Sequence, residues 1–125
     1  MDRIKNKNLI LEDGEKMTDL LLVLSKDPHT TEIPNLVLDI GLNAKAKKGS
    51  NVSLYLVEDG VTAARKSEFG NKLLDAKKKG IRILADDKAV QSRGLEGKLI
   101  EGVEVKEIGT LLDHIVEDGN RVAWF

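Results

Sequence analysis

Two kinds of hydrophobic pattern alternate along this chain. Short continuous apolar runs suit strands buried on both faces, and longer stretches with apolar residues every three or four positions suit helices packed on a sheet. The run from Asp19 to Leu24 (DLLLVL) predicts a central parallel strand. Ser25, Lys26, Asp27, Pro28 and His29 then read as a loop. Thr30 or Thr31 is placed to cap a helix with Pro34 in its first turn and Ile33, Leu36, Val37, Ile40 and Ala44 at helical spacing. Lys45, Lys47 and Lys48 complement the negative end of its dipole before Gly49. Val52 to Val57 predicts a second buried strand, closed by Glu58-Asp59-Gly60 and followed by a short helix, GVTAARKSE.

The same alternation continues. Phe69, Leu73 and Ala76 mark an amphipathic helix that ends in Lys77-Lys78-Lys79-Gly80, and Ile81 to Ala85 follows as a third strand. Asp86 or Asp87 caps the turn DKAVQSR, which Gly94 stops, and Gly102 to Lys106 is a short strand. Ile108, Leu111, Leu112, Ile115 and Val116 give a clear amphipathic stripe, with Gly119 ending that helix before the strand RVAWF. Helix, glycine, apolar strand recurs three times. The implied architecture is a single-domain α/β open sandwich of about five mostly parallel strands, with helices on both faces and right-handed crossovers. Residues 1–16, where only Ile4 and Leu9-Ile10-Leu11 are apolar enough to bury, are set apart as an N-terminal extension, and 17–125 as the α/β domain.

Composition narrows the function classes. At 125 residues there is room for one compact domain, and 41% hydrophobic with 33% charged residues supplies one core and a soluble surface. Lysine and arginine total 20 against 21 acidic residues, so the overall charge gives no reason to expect nucleic acid or a membrane as partner. The lysine clusters are explained by helix ends, and the few aromatics are not interleaved with them as stacking platforms would be. With zero cysteines, disulfides, thiol nucleophiles and Cys-based zinc sites are excluded. No apolar run reaches the roughly 20 residues of a membrane span and no signal-peptide pattern opens the chain, so a cytoplasmic location is expected.

In an open parallel sheet the ligand crevice lies beyond the carboxyl ends of the strands. The candidate pocket or partner site there is Ser25, Lys26 and Asp27 after the first strand, Asp59 and Gly60 after the second, and Asp86, Asp87 and Arg93 after the third. The amides from Gly60 to Thr62, with Lys26 or Arg65, offer an anion site, although a glycine after a strand more often serves a turn alone. Asp86-Asp87 is one adjacent pair, too few oxygens for a hard cation, and helix capping explains it better. His29 has no nucleophile or carboxylate partner that spacing identifies, and His114 is expected to face water. No catalytic residue, metal ligand or cofactor is assigned.

Two segments, YLVEDGVTAAR from Tyr55 to Arg65 and ILADDKAVQSRGL from Ile83 to Leu95, together with the terminal RVAWF, resemble the DsrE/DsrF/DsrH superfamily and are closest to its DsrH/TusB branch. The matching positions are Glu58 to Ala64, the tripeptide Ser92-Arg93-Gly94 and Trp124 in the closing strand. The resemblance covers residues 17–125. It implies an α/β subunit of a sulfur relay serving tRNA wobble-uridine thiolation or sulfur oxidation, with DsrE-like and DsrF-like carrier subunits, or copies of itself, as partners. In the carrier branches a cysteine just after the third strand holds sulfur as a persulfide. Here that region reads Ala85-Asp86-Asp87, and a carboxylate forms no persulfide and repels an anionic sulfur species. The resemblance therefore implies a non-catalytic accessory subunit. A homo-oligomer binding a small anion through Lys26, Gly60 and Arg93 is the alternative, and an enzyme using the aspartates with His29 a third.

Overall fold

The computed structural model describes residues 20–116 and 121–125, apart from the side chain of His114. The extension 1–16, the strand's first residue Asp19 and the helix stop at Gly119 lie outside the described residues. The elements in chain order are β1 (Leu20–Leu24), α1 (Ile33–Lys48), β2 (Val52–Leu56), a 3-10 helix (Glu58–Ala64), α2 (Glu68–Lys78), β3 (Arg82–Asp86), α3 (Asp87–Ser92), β4 (Glu104–Lys106), α4 (Ile108–Val116) and β5 (Arg121–Trp124). The five strands form one sheet in the order β4-β3-β2-β1-β5. Every pairing is parallel, from Leu20↔Val52 on one side of β1 to Leu20↔Arg121 on the other.

This order explains which face each helix covers. The chain steps in one direction from β1 to β4, so right-handed crossovers put α1, α2 and α3 on one face; the return to β5 reverses direction and puts α4 on the other. Packing agrees. Leu22, Leu24, Leu54, Leu56, Ile83 and Ala85 share a core with Val37 and Leu38 of α1, Phe69 and Leu73 of α2, and Val90 of α3. The alternate strand residues Leu21, Val23, Tyr55 and Leu84 pack instead with Leu111 of α4. The three inner strands are mostly apolar, Ser53 of β2 and the end residues Arg82 and Asp86 of β3 excepted, because both of their sides are buried.

Beyond shifted strand ends, with β3 at Arg82–Asp86 and β4 starting at Glu104, local details depart from the sequence reading in three places. The N-terminal boundary of α1 falls at Glu32, which makes no side-chain capping bond, and Thr31 lies one residue earlier, its hydroxyl accepting from the Ile33 N–H at 3.3 Å. Pro34 in the first turn bars the ordinary capping pattern, since it has no N–H to offer. The short helix after β2 is a 3-10 helix that begins at Glu58 rather than Gly60 and ends at Ala64. It starts from a left-handed Glu58 (φ 49°), a conformation that side chains other than glycine rarely adopt. The apolar stripe of α4 is divided: Leu111 is buried and Ile115 is packed against the core, but Ile108, Leu112 and Val116 face outward, Val116 with 77% of its surface exposed. A single helix laid across this face cannot bury a stripe that wide.

Candidate functional site

The loops beyond β1, β2 and β3 converge, as the strand order requires, but their polar groups are largely engaged with one another. Ser25 closes the sheet. Its backbone N–H and its hydroxyl both donate to the carbonyl of Phe125, at 2.8 and 2.7 Å, fixing the end of β5 to the end of β1. Lys26 is exposed and forms no ion pair among the described residues. Asp27 receives the backbone N–H of His29 at 2.9 Å and meets its ring Nδ1 at 2.8 Å. Partial burial pushes the Asp27 carboxyl up, but the His29 N–H, the His29 ring and the Thr62 hydroxyl together outweigh it and hold the group below the usual aspartate range.

Gly60 serves packing. A β-carbon on it would lie 2.0 Å from the carbonyl oxygen of Leu24, so only glycine lets the 3-10 helix sit against the end of β1. Its own N–H donates to the Val57 carbonyl at 2.8 Å and is therefore not presented to an anion. Asp59 and Arg93 do come together: Nε and Nη2 of Arg93 both donate to Asp59 Oδ1, at 3.1 and 2.8 Å, joining the 3-10 helix to α3. Asp59 is 69% exposed at its side chain, so this pair contributes no more than about 1 kcal/mol.

Asp86 is the helix cap the sequence suggests, its Oδ2 accepting the Ala89 N–H at 3.2 Å. Its Oδ1, and Oδ1 of Asp87, are buried without a hydrogen-bond partner. Both carboxylates act on a residue that spacing alone does not single out. Tyr55 is fully buried on the α4 side of the sheet, and its hydroxyl donates to the Glu107 carbonyl at 3.0 Å. Burial first, and then the charges of Asp86 and Asp87, push its ionisation up to about 12. The available signal was a lone polar tip within the apolar run VSLYL.

A second feature lies beside α3. A cleft of about 500 Å³ opens between α3, the connection that follows it, and the edge strand β4, with Asp87, Val90, Glu96, Leu99 and Val105 among its walls. Edge strand β4 is held by a fork in which Nε and Nη2 of Arg82 donate to the two carboxylate oxygens of Glu104, at 2.7 and 2.8 Å. That contact, ahead of the opposing effect of burial, lowers the Glu104 carboxyl below its usual range. Among the described residues no group of three or more histidine, aspartate or glutamate side chains is placed to hold a metal, and no helix is long and apolar enough to cross a membrane.

An all-parallel five-stranded sheet, three helical crossovers on one face, one on the other, and a polar rim at the carboxyl ends define a small open α/β sandwich. The DsrE/DsrF-like family model matches residues 18–125, and the chain belongs to that family. Solved structures share the fold at low identity. The ychN protein from E. coli superposes with a TM-score of 0.76 at 20% identity, covering 87% of this chain and 100% of its own. A protein of unknown function from Methanobacterium thermoautotrophicum, MTH1491, gives 0.71 at 21% identity over 85% of this chain and 96% of its own. The conserved protein BT1422 from Bacteroides thetaiotaomicron gives 0.71 at 19% identity over 86% and 95%. No curated protein matches the chain.

Proposed function

We propose that this chain is a non-catalytic subunit of a sulfur-relay complex, of the kind the DsrH/TusB branch contributes, and that it assembles with cysteine-bearing DsrE-like and DsrF-like partners to serve tRNA wobble-uridine thiolation or sulfur oxidation. The reading rests on a member of the DsrE/DsrF-like family that has no cysteine and carries Asp86 and Asp87 at the end of its third strand and the start of the helix that follows. The observation that carries the assembly role is the α4 side of the sheet. Ile108, Leu112 and Val116 on α4 and Val122 and Trp124 on β5 are all exposed, Trp124 with 57% of its surface. By the β1–β5 register, Val122 and Trp124 stand beside Leu21 and Val23 on the α4 side of the sheet. Exposed apolar residues on one side of a sheet support a protein contact there.

Native mass spectrometry of the tagged chain captured from its own cells tests the reading. A hetero-oligomer containing a cysteine-bearing DsrE-like chain is expected, and it should dissociate when Leu112 and Trp124 are replaced by serine. A homo-oligomer or monomer without such a chain, across repeated captures, overturns it.

A further inference from the structure

We propose that in the free chain the outer edge of β5 is covered by residues 9–12 of the same chain, Leu9-Ile10-Leu11-Glu12, added to the sheet as an antiparallel strand. This concerns the chain before any partner binds and is independent of the assembly role. The edge itself is open. The Phe125 N–H donates to the Val23 carbonyl and the Phe125 carbonyl accepts from Ser25, so Phe125 turns both of its main-chain groups toward β1. These groups alternate in direction along a strand. Trp124 and Val122 therefore turn theirs away from β1, to the side where no strand follows β5 among the described residues. Their side chains, 57% and 39% exposed, lie on the α4 side, while Ala123 and Phe125 are half-buried against the core on the other. Unpaired edge groups beside exposed apolar side chains form a template for one more strand.

Reach, register and apolar content assign that strand to residues 9–12. β1 opens at Leu20, directly beside Arg121 at the start of β5. A strand outside β5 lies two strand spacings from β1, roughly 10 Å, and the seven residues from Asp13 to Asp19, Gly14 among them, are enough to turn and cross that distance. A chain that comes down beside β5 and returns up β1 is antiparallel to both, as edge strands of otherwise parallel sheets commonly are. One register then sets Glu12 opposite Arg121, Leu11 opposite Val122, Ile10 opposite Ala123 and Leu9 opposite Trp124. Opposite residues share a face. Leu9 and Leu11 would thus cover Trp124 and Val122, Ile10 would lie beside the small Ala123, and Glu12 would meet Arg121, which is exposed and forms no ion pair among the described residues. Leu9-Ile10-Leu11 is the one apolar run ahead of β1, and the family match begins only at residue 18, so the run is no strand of the shared fold. A short tether also gives the chain's own segment an effective concentration in the millimolar range, which favours it over a second copy.

The test is amide hydrogen exchange of the isotopically labelled full chain, read by NMR together with the emission of Trp124, the sole tryptophan. The Val122 and Trp124 amides are expected to be protected at least about tenfold over an open edge. Leu9→Ser combined with Leu11→Ser should remove that protection and shift the emission to the red, while the amides of Leu54 and Ile83 in the inner strands keep theirs and show the variant to be folded. Glu12→Arg should weaken the protection about threefold, and adding Arg121→Glu should restore it, a rescue that general loosening of the edge would not give. The proposal is overturned if Val122 and Trp124 exchange freely in the parent chain, or if the variants leave their protection unchanged. It is overturned equally if the protection rises with protein concentration, which assigns the edge to a second copy.

Discussion

Replacing Gly60 by alanine puts a single methyl group against backbone that cannot retreat. The added β-carbon would lie 2.0 Å from the Leu24 oxygen and 2.8 Å from the Leu24 carbonyl carbon. That carbonyl accepts the Val57 N–H at 2.9 Å, the bond that turns the chain from β2 into the 3-10 helix. Relief therefore requires moving either the end of β1 or the whole 3-10 helix. Overpacking of this severity costs about 3 kcal/mol, and disturbing a buried backbone hydrogen bond adds about 1 kcal/mol. For a domain of this size such a loss lowers the thermal midpoint by about 15 °C. Two other glycines calibrate the result. Gly49 has open space around it but φ of +62°, so alanine there costs about 1 kcal/mol from the left-handed backbone alone. Gly109, in α4 with nothing within 4 Å, should gain about 0.5–1 kcal/mol on becoming alanine. Urea denaturation of the three variants should give that order. A Gly60→Ala midpoint within experimental error of the parent chain would refute the close-packing account and return Gly60 to the list of ligand contacts.

Tyr55 is the sole tyrosine, so tyrosinate absorbance reports it alone. The folded chain should ionise it at about 12. Because that value is raised over the ordinary tyrosine value of about 10, the associated stability is complete below about pH 10 and is lost as pH rises through the folded value. Ionisation near 10 with the near-ultraviolet dichroism still native would count against the buried Tyr55 hydroxyl. For Glu104 the sign is opposite. Its carboxyl is lowered by the Arg82 fork, so its contribution is present above the ordinary glutamate range and disappears as pH falls through the folded value. Glu104→Gln should cost about 0.5–1 kcal/mol, since both partners are partly exposed, and should lower the exchange protection factors of the β4 amides at neutral pH to those the parent chain shows in acid. Unchanged β4 protection in the variant would rule out the fork as its anchor.

The sheet was legible in the sequence because burial on both sides leaves little room for ambiguity: runs such as LLLVL and VSLYL fit a covered parallel strand. Asp86 was legible as a cap for a similar reason, since its chemistry is local and its partner, the Ala89 N–H, lies three residues on. What spacing could not show depended on distant parts of the chain. Gly60 looks like any turn glycine until β1 is brought against it. Arg93 pairs with Asp59 across 34 positions, and Tyr55 finds the Glu107 carbonyl across 52. The stripe of α4 was read correctly as apolar, but periodicity says how many faces are apolar and not how many find cover; the reversal of direction between β4 and β5 makes α4 the one helix on its side among the described residues. The cleft beside α3 escaped for the same reason, being assembled from a helix, a loop and an edge strand with no shared motif.

The parallel seam between β1 and β5 also bears on how the molecule is made. Ser25 and Phe125, which the seam joins, stand 100 residues apart, whereas β1 meets β2 after a single crossover. Closing that larger loop costs about 1 kcal/mol more in chain entropy, so β5 is expected to dock late, after β1, β2 and β3 have formed. During that interval one edge of the most apolar strand is open to any passing chain. Refolding yield should therefore fall steeply with protein concentration, and misassembled species should be exchanged dimers in which the β5 of one molecule fills the seam of another.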